Sequence, residues 1–154
     1  MGGDCIYLDI EANGLIDAKT GQYPTEIYVV VCELKKEQFI FTDYESSKFS
    51  TRPLSKLSEF LSENMFDVIA HNGIGYDYPV MSRLLGIDTT GERFKDTLVL
   101  SRLYSPVLKG GHSLGAWGLR LGYPKQNFDD WNQFSDAMVG YCVNDVEVLR
   151  EIHL

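Results

Sequence analysis

The chain has 154 residues, 44% of them hydrophobic, which is the size of one domain and enough for one core, so residues 1–154 are read as a single domain. Its formal charge of −8 excludes a protein that coats long duplexes by neutralising many phosphates, because that binding needs clustered Lys and Arg. Three cysteines, Cys5, Cys32 and Cys142, form no C-x-x-C pair and sit in apolar runs, which argues against zinc held by thiolates.

The first residues carry no basic segment, and the apolar run that follows is broken by Asp9 and Glu11. Neither a signal peptide nor a membrane span is expected, and the chain reads as cytoplasmic, with no membrane partner. Residues 5–10 predict a buried strand interrupted by a carboxylate. Beyond the turn signal Asn13-Gly14, residues 26–34 and 38–43 are β-branched and aromatic runs separated by Lys35-Lys36-Glu37, which predicts antiparallel strands with a short hairpin loop. Leu54, Leu57, Phe60 and Leu61 follow Pro53 at helical spacing, predicting a helix over 54–64. Val68-Ile69-Ala70 is short enough for a buried central strand; it runs into the glycine-containing turn after Asn72 and then a helix over about residues 77–86. Residues 97–104 and 113–121 read as two more helices. The last, about 134–153, carries Met138, Val139, Cys142, Val146, Leu149 and Ile152 as its apolar stripe. The order is that of an α/β domain with a mixed sheet.

Asp9 and Glu11 lie two apart on the first strand, so alternation sends both to one face while Leu8 and Ile10 take the other. Paired carboxylates on a buried strand repel one another and lose hydration, a costly arrangement unless cations are bound. An Asp-x-Glu triplet alone carries little weight, since it arises by chance in roughly half of chains of this length. Asp77 stands where a helix begins, and its ordinary role there is a cap or first-turn carboxylate. Tyr141 and Asp145 are four apart and share a face of the last helix. Each pair taken singly fits ordinary packing. The set, in this order and on these elements, rarely coincides by chance.

At these residues the chain resembles the DEDD superfamily of 3′→5′ exonucleases. Tyr7-Leu8-Asp9-Ile10-Glu11 matches its first motif, His71-Asn72-Gly-Ile-Gly-Tyr76-Asp77 the second, and Tyr141-Cys-Val-Asn-Asp145 the third in its tyrosine-bearing (DEDDy) form. Asp96-Thr-Leu-Val-Leu-Ser-Arg-Leu and His112-Ser-Leu-Gly-Ala-Trp117-Gly-Leu-Arg120-Leu-Gly resemble the proofreading domain of podovirus-type family A DNA polymerases. The fold this resemblance implies is ribonuclease-H-like: a mixed five-stranded sheet, three antiparallel strands plus parallel ones, flanked by helices.

The function implied is hydrolysis of the 3′ ends of single-stranded DNA with two divalent ions, Mg2+ or Mn2+. Asp9, Glu11, Asp77 and Asp145 are the implied metal ligands, and Tyr141 orients the attacking water. Asn13 and Leu15 are implied at the terminal nucleotide and Asn72 and Tyr76 near the penultimate one, while Lys109, His112 and Lys125 are candidate phosphate contacts. His71 reads as structural. A DNA polymerase is the implied partner, a phage-infected or bacterial cell the implied setting, and a monomer the favoured state. No polymerase region follows Leu154, so a free-standing relative or an excised domain is expected. Two other readings stay open: an exoribonuclease of the same superfamily, and a non-catalytic subunit that binds nucleic acid or a polymerase.

Overall fold

A computed structural model describes residues 4–122, 128 and 130–153. Strand β1 (Cys5–Ala12) alternates as its sequence predicts: Ile6, Leu8, Ile10 and Ala12 are buried, while Cys5, Tyr7, Asp9 and Glu11 are half-buried on the other face. Strand β2 (Ile27–Leu34) is buried along its whole length, as a central strand covered on both faces must be. It turns into β3 (Glu37–Phe41) through Lys35 and Lys36, both at positive φ (54° and 67°), the handedness that lets a two-residue hairpin loop match the twist of its strands.

The sheet has six strands in the order β4-β3-β2-β1-β5-β6, with β4 spanning Thr51–Arg52, β5 Asp67–Ala70 and β6 Phe94–Asp96. Strands β1, β2 and β3 are mutually antiparallel; β5 runs parallel to β1, β6 to β5, and β4 to β3. This is the mixed α/β architecture expected of a ribonuclease-H-like domain, with one strand more than the five expected. Strands of two and three residues carry no readable alternation. Pairing to the edges of β3 and β5, rather than their own sequences, makes β4 and β6 strands.

Helix α1 (Leu57–Glu63), entered through a 3-10 turn at Leu54–Lys56, and helix α2 (Tyr78–Leu85) cover one face. Leu57, Phe60, Leu61, Tyr78, Val80 and Met81 pack there with Ile6, Leu8 and Ile10. Helix α5 (Asp136–His153) covers the other face, burying Met138, Val139, Cys142 and Val146 with Val29, Val31 and Ile40. Each of these aliphatic side chains contributes about 1.5–3 kcal/mol on burial. The two layers clamp β1 from both sides and fix the backbone that carries Asp9 and Glu11. Helices α3 (Thr97–Tyr104) and α4 (Leu114–Leu121) pack beside α5. Among the described residues no helix is long and apolar enough to cross a membrane.

Candidate active site

The site is built where β1 outruns β5. Only Cys5, Ile6 and Tyr7 pair with β5, so the later part of β1 has an unpaired edge on that side. Beyond Ala70 the chain leaves β5 through Asn72, in the left-handed region at φ 60°, and a π turn over Gly73–Asp77. A side chain at Gly73 could not be held, because its Cβ would stand 2.6 Å from the Tyr78 ring and 2.9 Å from the Ala70 Cβ. Asp96 fixes the turn from within: buried at the end of β6, it accepts N–H groups from Asn72 (2.8 Å), Ile74 (3.0 Å) and Leu98 (2.8 Å), the last capping α3.

Asp77 emerges from this turn fully buried and makes no capping hydrogen bond to α2. Its Oδ2 instead accepts the Ile10 N–H at 3.2 Å, on the strand residue between Asp9 and Glu11. The cap role that its position suggested is therefore replaced by a tie across the sheet. A register shift between Glu11 and Ala12, where β1 bulges against β2, ends the regular ladder beside the site.

From the other side α5 brings Tyr141, Cys142 and Asp145. The Cys142 thiol lies 3.3 Å from Asp9 Oδ2 and 3.4 Å from the Asp9 carbonyl oxygen. Ligand atoms of Asp9, Glu11 and Cys142 all fall within 4.8 Å of one another. Asp77 and Asp145 complete the cluster electrostatically: Asp9 feels Asp77, Glu11 feels Asp9, Asp145 and Asp77, and Asp77 feels Asp145. Burial first, and repulsion by these neighbours second, pushes Glu11 up to about 10 and holds Asp9 well above the usual carboxylate range. Burial likewise pushes Asp77 up to about 8, against the opposing pull of its backbone hydrogen bonds.

Carboxylates gathered in this way repel one another, which a cation would relieve, and Asp9, Glu11 and Cys142 stand close enough together to hold one. Burial pushes the Cys142 thiol well above its ordinary value, and its S–H donates to Asp9. The carboxylate oxygens around it are hard donors of the kind that hold divalent cations.

Beside the cluster lies a cleft of about 380 Å³ lined by Glu11, Ala12, Asn13, Gly14, Leu15, Tyr76, Trp131 and Asn132. Three of the residues expected at a nucleotide, Asn13, Leu15 and Tyr76, are thus brought together. The Asn13 side chain is spent on its own loop, its Oδ1 accepting from the Thr25 and Glu26 N–H groups and its Nδ2 donating to Thr25 Oγ1. Tyr76 donates its hydroxyl to the Gly14 carbonyl at 2.6 Å, and Leu15 projects with 74% of its surface exposed.

Asn72 and His112 do not line the cleft. The His112 Nδ1 pairs with Ser101 Oγ (2.7 Å), and its carbonyl oxygen lies 2.7 Å from His71 Nε2. A carbonyl only accepts, so His71 carries its proton on Nε2 and receives the Thr97 hydroxyl on Nδ1 (2.8 Å), the structural role read for it. The Lys109 carbonyl accepts from Arg120, and Lys125 lies outside the described residues.

Three contributors escaped the sequence reading. Cys142 was legible only as a core thiol, although its position three before Asp145 puts both on one helical face. Asp96 was noted within a motif without a role. Trp131 sits in a polar stretch with no periodicity, and nothing in the sequence connects it to Tyr141, whose ring it meets edge-on at 5.2 Å.

Fold and site together define a mixed α/β domain with a carboxylate cluster beside a cleft of about 380 Å³. No protein-family model matches the chain. Over most of its length it is similar to the DNA-directed DNA polymerase of Escherichia phage T7, at 27% identity covering 96% of this chain and 26% of that protein. The DNA-directed DNA polymerase of Enterobacteria phage T3 is similar at 26% identity, covering 94% and 25%. The chain therefore spans about a quarter of the length of these relatives.

Proposed function

We propose that this chain is a two-metal 3′→5′ exonuclease of the DEDDy type that shortens single-stranded DNA one nucleotide at a time. The observation that carries this reading is the convergence of Asp9, Glu11, Asp77 and Asp145, from three separate elements, with Asp77 tied to the backbone between the first two. Similarity to phage DNA polymerases supports DNA as the substrate and proofreading as the setting, with a polymerase as partner.

Asp9, Glu11 and Asp145 would hold one cation, and Asp9 together with Asp77 the second. When bound, the pair supplies an activated water and charge neutralisation at the departing 3′ oxygen. The protein's own contribution is positional. Cys142 donates to Asp9 and Ile10 to Asp77, which fixes two carboxylates before any ion arrives. Tyr141, one helical turn before Asp145, directs its hydroxyl to the attacking water and the scissile phosphate; a phenol of pKa ~10 is a poor base at neutral pH, so its role is orientation. Leu15 and the backbone of residues 13–15 border the terminal nucleotide, with Tyr76 bracing that loop through Gly14.

The deciding experiment follows 5′-labelled single-stranded DNA, with matched RNA, in Mg2+, Mn2+ or EDTA, alongside an Asp9→Ala control. A ladder that shortens from the 3′ end, needs metal and disappears in the variant is the expected result. A folded protein that yields no ladder on either nucleic acid sinks the reading; faster shortening of RNA replaces DNA with RNA as the substrate.

A further inference from the structure

Helix α3 is turned inside out. The two side chains it buries, Thr97 and Ser101, are polar, while the i,i+4 pairs Val99 with Leu103 and Leu100 with Tyr104 face solvent. Leu103 is 75% exposed and Tyr104 81%, and Val107 in the loop that follows is 93% exposed. Single exposed apolar residues are ordinary, whereas a helix that presents its apolar side outward marks a contact surface.

The loop after α3 is tied down behind this face. Arg120 donates to the Lys109 and Gly111 carbonyls, 2.6 Å from each, and His112 Nδ1 pairs with Ser101 Oγ at 2.7 Å. Between α3, α4 and the end of α5 lies a pocket of about 260 Å³, walled in part by Leu100, Tyr104, Trp117 and Ile152. Its polar liners are already engaged, Thr97 with His71, Ser101 with Trp117 and His112, and His153 with Tyr7. An occupant therefore meets an apolar wall. Ile152 lies roughly 16 Å from Tyr141 along the α5 axis, and the pocket shares no residue with the cleft at Glu11.

Charge sets the same region apart. Residues 97–122 hold Arg102, Lys109 and Arg120 and no Asp or Glu, in a chain whose formal charge is −8. A second copy docked face to face would set this basic surface against itself. A single strand of nucleic acid calls for a series of aromatic faces, but the outward side chains are mostly aliphatic and the Trp117 ring carries the Arg120 guanidinium at 4.8 Å. An anionic bilayer would repel the acidic remainder of the chain. Apolar side chains, a pocket and cations together match an acidic polypeptide that brings apolar anchors.

We propose that α3, the loop after it and α4 form a docking surface for a separate protein, received as an acidic segment whose apolar side chains enter the pocket beside Tyr104. This surface goes beyond the nuclease reading and does not depend on it.

The test selects from a displayed library of random peptides on the unmodified protein, after removal of peptides that also bind a Leu103→Ser, Val107→Ser double variant. Both substituted side chains are exposed, so the double variant should melt as the unmodified protein does. The expected survivors carry net negative charge and apolar residues at helical spacing. A synthesised survivor should bind at least about tenfold more weakly to Arg102→Glu and to the double variant, and more weakly as salt rises. Survivors that are neutral or basic, or none that tell the two proteins apart, overturn the proposal. Retention of oligothymidylate or of phosphatidylserine vesicles by the unmodified protein and not by the double variant overturns it in favour of nucleic acid or lipid. A dimer in sedimentation that the double variant loses overturns it in favour of a second copy. None of these readouts involves hydrolysis, so the docking surface and the nuclease reading fail separately.

Discussion

Two groups of carboxylates in this fold are treated in opposite ways. Asp96 and Glu33 are each satisfied by the fold: Asp96 by three backbone N–H groups, and Glu33 by Arg150 Nη1, 2.9 and 2.7 Å from its two oxygens. Asp9, Glu11, Asp77 and Asp145 instead face one another, Asp9 accepting from the Cys142 thiol and Asp77 from the Ile10 N–H. Helix α5 serves both, giving Asp145 to the cluster and Arg150, five residues on, to Glu33. Where a fold can pair an acid it does so. The group whose members repel one another is the one that carries the proposed chemistry.

Substitutions break this comparison in opposite directions. Glu11→Gln should cut metal-dependent shortening of single strands by about a thousandfold, the scale of losing a preorganised charged group at a reaction centre. The same change should leave the metal-free melting temperature unchanged or higher, because the folded state no longer has to hold a carboxyl protonated far above its ordinary range. A metal-free variant that melts well below the unmodified protein would contradict the contrast drawn here.

Arg150→Met should do the reverse. It strands Glu33 without its partner and costs about 3–5 kcal/mol of stability, measured by urea unfolding, while hydrolysis per folded molecule stays within about twofold. Retained stability would mean that Glu33 is not held by this pair.

Tyr141→Phe should slow hydrolysis by about ten- to a hundredfold while leaving Mn2+ affinity, followed by calorimetry, as it was. Weakened metal binding would make Tyr141 part of the ion site rather than a guide for water.

The smallest effect is in pH. Glu11, pushed up to about 10, and Asp77, to about 8, hold their protons more tightly folded than unfolded, where carboxylates titrate near 4. Between those values the folded state binds more protons, so metal-free stability falls as pH rises from about 4 towards 8–10. Cation binding should release these protons and strengthen over the same interval. A melting series in EDTA and in Mn2+ from pH 5 to 9 should diverge by several degrees, and parallel curves would argue against a cation at these acids.

Much of the molecule followed from local rules. Strand alternation placed Asp9 and Glu11 on one face opposite Leu8 and Ile10, and helical spacing put Tyr141 in register with Asp145, because both periods are fixed by backbone geometry. The longer strands and the five described α-helices were legible for the same reason. The tertiary structure decided what depends on distant partners. Asp77 reaches Ile10 across 67 positions, and Cys142 reaches Asp9 across 133. Trp131 meets Tyr141 through a stretch without periodicity, and β4 and β6 are strands only because β3 and β5 offer them an edge. Sequence spacing encodes which way a side chain points on its own element, whereas the assembly of elements sets what it points at.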